Sequence, residues 1–170
     1  MQHLTQLKDS LLEKFEVNLS LLRLDQYDLD IPGNKWFKLK YNLQKANQEG
    51  KKTLLTFGGA YSNHILATAS AAKKYGFESI GIIRGEEHLP LNPVLQAAKN
   101  AGMELHYLDR TTYREKHSEK IIKELHKRFG DFYLLPEGGS NHLAVRGCSQ
   151  MWDLITTPCD YLCTAMGTGG

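Results

Sequence analysis

Four glycines, at positions 50, 76, 102 and 130, recur about one βα unit apart, and each stands between a helical stretch and a short apolar run. The runs Thr53 to Phe57, Ser79 to Arg84, Met103 to Leu108 and Phe132 to Leu135 are bounded by turn residues and read as strands. Between them, Asn92 and Pro93 are an N-cap and first-turn pair for a helix over Val94 to Ala101. Tyr113 to Phe129 carries Ile121, Ile122 and Leu125 among charges and reads as a further helix. Strands alternating with helices predict an α/β fold of three layers, αβα, around a mainly parallel sheet. Ligands of such sheets bind at the carboxyl ends of the strands.

The first of those ends is the most informative. Leu54 to Phe57 runs into Gly58 and Gly59, and Ala60, Tyr61, Ser62 and Asn63 lead into a helix from His64 to Tyr75 with Gly76 as its C-cap. A strand, a glycine turn and a helix start expose free N–H groups beside the positive end of a helix dipole, and Ser62 and Asn63 stand where a carboxylate or phosphate would be held. Pro136 to His142 repeats the pattern, which makes Ser140 to His142 a candidate wall of the same site. Upstream, Lys35 ends a Pro- and Gly-bearing loop from Asp25 and opens a helix running to Gly50. An ammonium at the positive end of a helix is disfavoured, so Lys35 loses its proton more easily than a free lysine and becomes a better nucleophile.

The ends of the chain read less simply. Leu4, Leu7, Leu11 and Leu12 have the spacing of a short amphipathic helix, and Val17 to Leu24 alternates like a strand. Tyr161 to Thr164 reads as a last strand entering Gly167, Thr168, Gly169 and Gly170. A parallel strand needs a crossover helix to cover it, so the chain is expected to be the first half of a longer protein.

Charge narrows the function classes. Twenty-one Lys and Arg stand against nineteen Asp and Glu, interspersed and without a basic patch, which argues against nucleic acid or a membrane surface as partner. The charged N-terminus lacks the apolar core of a secretory signal and no run is long enough to span a bilayer, so the expected compartment is the cytoplasm. Cys148, Cys159 and Cys163 fit no disulfide framework and read as buried free thiols. His3, His88, His106, His117 and His126 show no metal-ligand spacing, and no metal is expected. Taken singly, Lys35 reads as a solvated lysine and Ser62 and Asn63 as simple caps. A nucleotide-binding domain would need Gly-x-Gly-x-x-Gly with a following acidic residue, or a Walker loop, and neither is present.

Four motifs in order carry more than any one of them: Gly33-Asn34-Lys35 before a helix, Gly-Gly-Ala-Tyr-Ser62-Asn63-His64 at a strand end, Gly-Gly-Ser140-Asn141, and Gly167-Thr168-Gly169-Gly170. From about Val17 onward the chain resembles the 1-aminocyclopropane-1-carboxylate deaminase and D-cysteine desulfhydrase family, in the tryptophan-synthase-β class of pyridoxal-phosphate enzymes. The resemblance implies pyridoxal 5'-phosphate as cofactor, bound covalently to Lys35. It implies Asn63 beside the cofactor ring and Ser62 on the substrate carboxylate, with a proposed nucleophilic role in the ring-opening members. It implies the loop from Gly167 around the phosphate, and His64 near the substrate as a packing or hydrogen-bonding residue. The implied activity is that of a lyase or deaminase of a small amino acid, by β-elimination of the D-cysteine desulfhydrase kind to a keto acid and ammonia. Ring opening of aminocyclopropane carboxylate is the alternative, disfavoured by His64, where many deaminases have Gln. A non-catalytic cofactor- or nucleotide-binding domain is the alternative of another class. The resemblance further implies residues 1–37 and 141–170 in a large cofactor domain, 38–140 as a smaller α/β domain, a homodimer at full length, and no activity from these 170 residues alone.

Overall fold

The computed structural model describes residues 3–165. Four parallel strands form the central sheet: β3 (Thr53–Gly58), β4 (Glu78–Arg84), β5 (Met103–Leu108) and β6 (Tyr133–Leu135), in the spatial order β5-β4-β3-β6. A separate antiparallel pair, β1 (Leu4–Gln6) and β2 (Ser20–Leu22), lies near the N-terminus. Helices α2 (Lys35–Gln48), α3 (Asn63–Tyr75) and α4 (Pro93–Asn100) follow the order expected from the glycine rhythm. Gly50, Gly76, Gly102 and Gly130 all have positive φ, between 70° and 98°, which is why glycine recurs at the helix ends.

Strand β3 is buried along its whole length because it has a strand on either side and helices on both faces. Its side chains alternate between two cores. Leu54 packs with Leu39, Leu43, Ala67 and Leu135 beneath α2 and α3. Leu55 and Phe57 pack on the other face with Ile82, Tyr113, Ile121 and Leu125. A third cluster, Ile65, Ala69, Ile83, Leu95 and Met103, continues the first core under α3 and α4. Each fully buried Leu, Ile or Phe contributes roughly 2 kcal/mol to holding the layers together. The three-layer α/β expectation holds for these elements.

Four local expectations are corrected. Leu4 does not start a helix: residues 4–6 pair with Ser20–Leu22, and only α1 (Ser10–Lys14), capped by the Asp9 carboxylate, is helical. The leucine spacing is helical, but a partner strand satisfies the backbone first. The stretch Tyr113 to Phe129 is two helices, α5 (Arg110–Arg114) and α6 (Glu119–Phe129), because Asp109 and Ser118 each cap a separate start. Tyr161 to Thr164 forms no strand among the described residues, since no neighbouring strand offers it a ladder. The cysteines are free but not buried: Cys148 is half-buried, and Cys159 and Cys163 are exposed.

The loop before α2 is pinned rather than loose. The Asp28 carboxylate accepts the N–H groups of Asp30 and Ile31 and the ammonium of Lys74 on α3, at 3.0, 3.1 and 2.9 Å. Ile31 is thereby held in the core, and the chain reaches Lys35 from a defined direction. Burial pushes the Asp28 carboxyl up, but Lys74 and the two N–H groups outweigh it and hold it below the usual carboxylate range. A depressed carboxylate stabilises the fold above its unfolded value, near 3.9 or so, and that contribution is lost as pH falls through the lower folded value. Asp28→Asn is therefore expected to lower the melting temperature at neutral pH, with the difference from wild type vanishing in acid, as read by thermal melts across pH.

Candidate active site

Lys35 is the first residue of α2, and the half-turn before it is set by Gly33, whose φ of 71° and N–H bond to the Leu24 carbonyl bring the chain round. Its side chain is half-buried, and its ammonium is held below the ordinary lysine range. Burial is the first cause and the ammonium of Lys38 the second, with the Cys148 thiol opposing them. Neither cause is visible in the sequence, which points only to the helix start.

Lys38 is the residue that sequence reasoning missed. It is 2 % exposed, yet no hydrogen bond or ion pair holds its ammonium among the described residues. Its Nζ is left free to meet an anion supplied to the site. Asn42, one turn further on, is fully buried and equally unforeseen. Its side chain donates to the Lys38 carbonyl at 2.8 Å and accepts from the Tyr133 hydroxyl at 3.1 Å and the Asn141 amide at 2.8 Å. These bonds join α2 to β6 and to α7 (His142–Ser149). The signal was there: Lys35, Lys38 and Asn42 fall at i, i+3 and i+7, a polar stripe on one helix face beside the apolar Leu39 and Leu43.

Helix α3 presents its first turn to the same region. Ser62 is the N-cap, but its hydroxyl makes no capping bond, which leaves the oxygen free and the leading amides of the helix unclaimed by it. Asn63 is exposed and His64 is 2 % exposed. Thr56 Oγ1 donates to the Leu135 carbonyl at 3.1 Å and lies 2.9 Å from His64 Nε2, which ties the ring to β3. Nδ1 of the same ring is buried and has no hydrogen-bond partner among the described residues. A methyl group on Gly139 would come within 3.1 Å of the ring and 3.6 Å of the Lys38 Cβ, so the glycine turn after β6 lies directly against both.

His64 is pushed down to about 3, by burial first and then by the ammoniums of Lys35 and Lys38, with the Pro136 carbonyl opposing. The start of α2 and the first turn of α3 therefore face one electropositive site. Unfolding lets this imidazole take a proton below its ordinary value, near 6.5 or so, while the folded ring stays neutral. Stability is expected to fall by about 1.4 kcal/mol per pH unit as pH drops below that value. His64→Gln should remove this slope in denaturant titrations run across the acid range.

No family model matches the chain. A Pyrococcus horikoshii protein provisionally named 1-aminocyclopropane-1-carboxylate deaminase is 34% identical over 154 residues, which cover 87% of this chain and 47% of that one. The Arabidopsis thaliana mitochondrial bifunctional D-cysteine desulfhydrase/1-aminocyclopropane-1-carboxylate deaminase is 31% identical, covering 89% of this chain and 42% of its own. A crystal structure of an ACC deaminase homologue superposes with a TM-score of 0.75 at 29% identity, over 93% of this chain and 48% of that one. The chain belongs to the 1-aminocyclopropane-1-carboxylate deaminase and D-cysteine desulfhydrase family. It spans about half the length of the curated relatives it matches.

Enzymes of this family depend on pyridoxal phosphate. Against the family pattern, the structure brings the Lys35 end of α2, Lys38, His64 and the Gly139 turn to one place. Ser62 and Asn63 stand at the start of α3 beside them, while Ser140 and His142 are exposed and Asn141 is engaged with Asn42. The expected phosphate loop, Gly167 to Gly170, lies outside the described residues. Among the described residues no group of His, Cys, Asp and Glu is placed to hold a metal ion, and no helix is long and apolar enough to cross a membrane.

Proposed function

We propose that this chain supplies the lysine-bearing half of a pyridoxal-phosphate-dependent lyase that deaminates a small amino acid, with β-elimination of the D-cysteine desulfhydrase kind as its reaction. The observation that supports it most is a half-buried lysine whose ammonium is disfavoured, next to a second lysine, Lys38, whose ammonium meets no anion among the described residues. The residues fit the cofactor on both counts. Lys35 is the amine for an aldehyde, and Lys38 together with the free amides of α3 suits a phosphate or carboxylate. Ser62, with an uncommitted hydroxyl, suits the substrate carboxylate, and Asn63 suits a ring oxygen.

Pyridoxal phosphate, when bound, supplies a ring that accepts the electron pair of a bond broken next to the amino group. The chain's own contribution is orientation and proton transfer. The Lys35 amine, held by the first turn of α2, would serve as the base for the substrate's α-proton, and its lowered proton affinity suits that task. The buried face made by His64, Lys38 and Gly139 keeps water from that side. Ring opening of aminocyclopropane carboxylate is the second reading, favoured by the Arabidopsis relative, whose name carries both activities.

Titration of the purified protein with pyridoxal phosphate is expected to produce an absorption band at the blue edge of the visible, and borohydride should then fix the label on Lys35, identified by peptide mass. Sulfide and keto-acid assays on D-cysteine, L-cysteine and aminocyclopropane carboxylate distinguish the two readings. A protein that stays colourless and takes no label at Lys35 sinks both.

A further inference from the structure

The Pro136–Ser140 turn reaches across the sheet, with one side on the candidate-site residues and the other on α5 and the turn that follows it. Toward α2 and α3, Gly139 lies on the His64 ring and the Lys38 stem. On the other side, Glu137 stands between two donors, one from α5 and one from the turn after it. The Tyr113 hydroxyl donates to Oε1 at 2.9 Å, and the Lys116 ammonium lies 3.2 Å from Oε2. Lys116 comes from the turn that separates α5 from α6, and its ammonium also sits 4.7 Å from the centre of the Tyr113 ring. Tyr113 is itself 2 % exposed and meets Phe57 of β3 edge-on.

Both oxygens of Glu137 are thus committed, by a neutral hydroxyl and by a cation, and charge-assisted bonds to a carboxylate are the strong ones. The turn needs such an anchor. Gly138 and Gly139 both take left-handed φ, 70° and 74°, and the segment has one internal backbone bond, from the Gly139 N–H to the Pro136 carbonyl. Two glycines hold a shape weakly by themselves.

We propose that Glu137, braced by Tyr113 and Lys116, is a positioning residue that seats the Gly138–Gly139 turn on His64 and so keeps the unpartnered Nδ1 of that ring dry beside Lys35 and Lys38. Its consequence for cofactor capture rests on the pyridoxal-phosphate reading; its effect on His64 does not. The charged groups facing His64 are Lys35 and Lys38 of α2, and the turn adds only the Pro136 carbonyl. Lifting the turn admits water to Nδ1, which lets the ring accept a proton and places a third cation beside the two lysines.

The test follows the imidazole resonances of His64 by NMR in a pH titration of the protein and of Tyr113→Phe, Glu137→Gln and Lys116→Met, each checked for folding by circular dichroism. Lys123→Met serves as control, on α6 but paired only with the exposed Glu119. Tyr113→Phe and Glu137→Gln are expected to raise the His64 titration by a unit or more toward its ordinary value, to shift its resonances, and to slow borohydride trapping of pyridoxal phosphate at Lys35 several-fold. The control should change neither. A folded Tyr113→Phe or Glu137→Gln whose His64 resonances match wild type overturns the proposal. Should Tyr113→Phe fail to fold, Lys116→Met, which leaves the core intact, decides in the same way. A His64 that moves in a protein that never traps the cofactor upholds the brace and removes the cofactor reading; a wild type that traps it while His64 stays fixed in the folded variants removes the brace alone.

Discussion

Gly147→Ala is expected to be the most damaging single methyl group that can be added near the site. Gly147 lies in α7 where that helix crosses α2, and a Cβ there would overlap the carbonyl oxygen of Phe37 and come within 2.8 Å of the Phe37 carbonyl carbon. The obstacle is backbone, not a side chain that can rotate away, so the two helices must move apart. In an isolated helix the change would be favourable by about 1 kcal/mol, since alanine is the better helix former. Overpacking reverses the sign, at about 3 kcal/mol or more of lost stability. For a chain of this size that corresponds to a drop of roughly 10 °C in the melting temperature. Val145→Ala, on the exposed side of the same helix, should stay within about 0.5 kcal/mol of wild type. Because Phe37 is two residues from Lys35, the separated helices also carry the lysine away from His64. Trapping of pyridoxal phosphate should weaken in any fraction that remains folded. A melting temperature equal to that of wild type would show that α2 and α7 do not meet at this glycine.

Lys35→Ala should abolish covalent capture of pyridoxal phosphate, and borohydride should leave no label in the peptide containing residue 35. Turnover by the assembled enzyme is expected to fall by roughly 10²–10⁴ from the missing proton transfer alone, and further from the loss of cofactor attachment. The same substitution has a second readout that needs no cofactor. The Lys35 ammonium is one of the causes that hold His64 down, so its removal should raise the His64 titration, while burial and Lys38 still keep it below the ordinary imidazole range. Activity lost with His64 unmoved would mean that Lys35 works away from the first turn of α3. His64 moved with labelling intact would place the cofactor on another lysine, and Lys38 is the nearest candidate.

The family relationship was legible because its motifs are local. Gly33-Asn34-Lys35, the Ser62-Asn63-His64 helix start and the glycine rhythm each depend on backbone conformations that few residues adopt, so their residue types show in the sequence. Where reading failed, a non-local partner had intervened. Leu4 was drawn into a strand by Leu22, eighteen positions on, and no periodicity within residues 4–12 could reveal it. The break between α5 and α6 was present as Ser118 ahead of Ile121 but was masked by apolar spacing that runs on through both helices.

The chain's order of strands, helix caps and glycine turns is written in its sequence, since each depends on residues a few positions apart: Asn92 bonding the amides of Val94 and Leu95, Gly76 ending α3 at a φ of 75°. Tertiary structure alone decided which charges would be buried and what they would face. Lys38 looks like any helical lysine until α3 and the Gly139 turn close over it, and Glu137 like any loop carboxylate until Tyr113 and Lys116 arrive from residues more than twenty positions away. Burial and long-range pairing are properties of the packed layers. A residue's neighbours in sequence set the conformation it adopts, but its neighbours in space set the cost of its charge, and through that cost its chemistry.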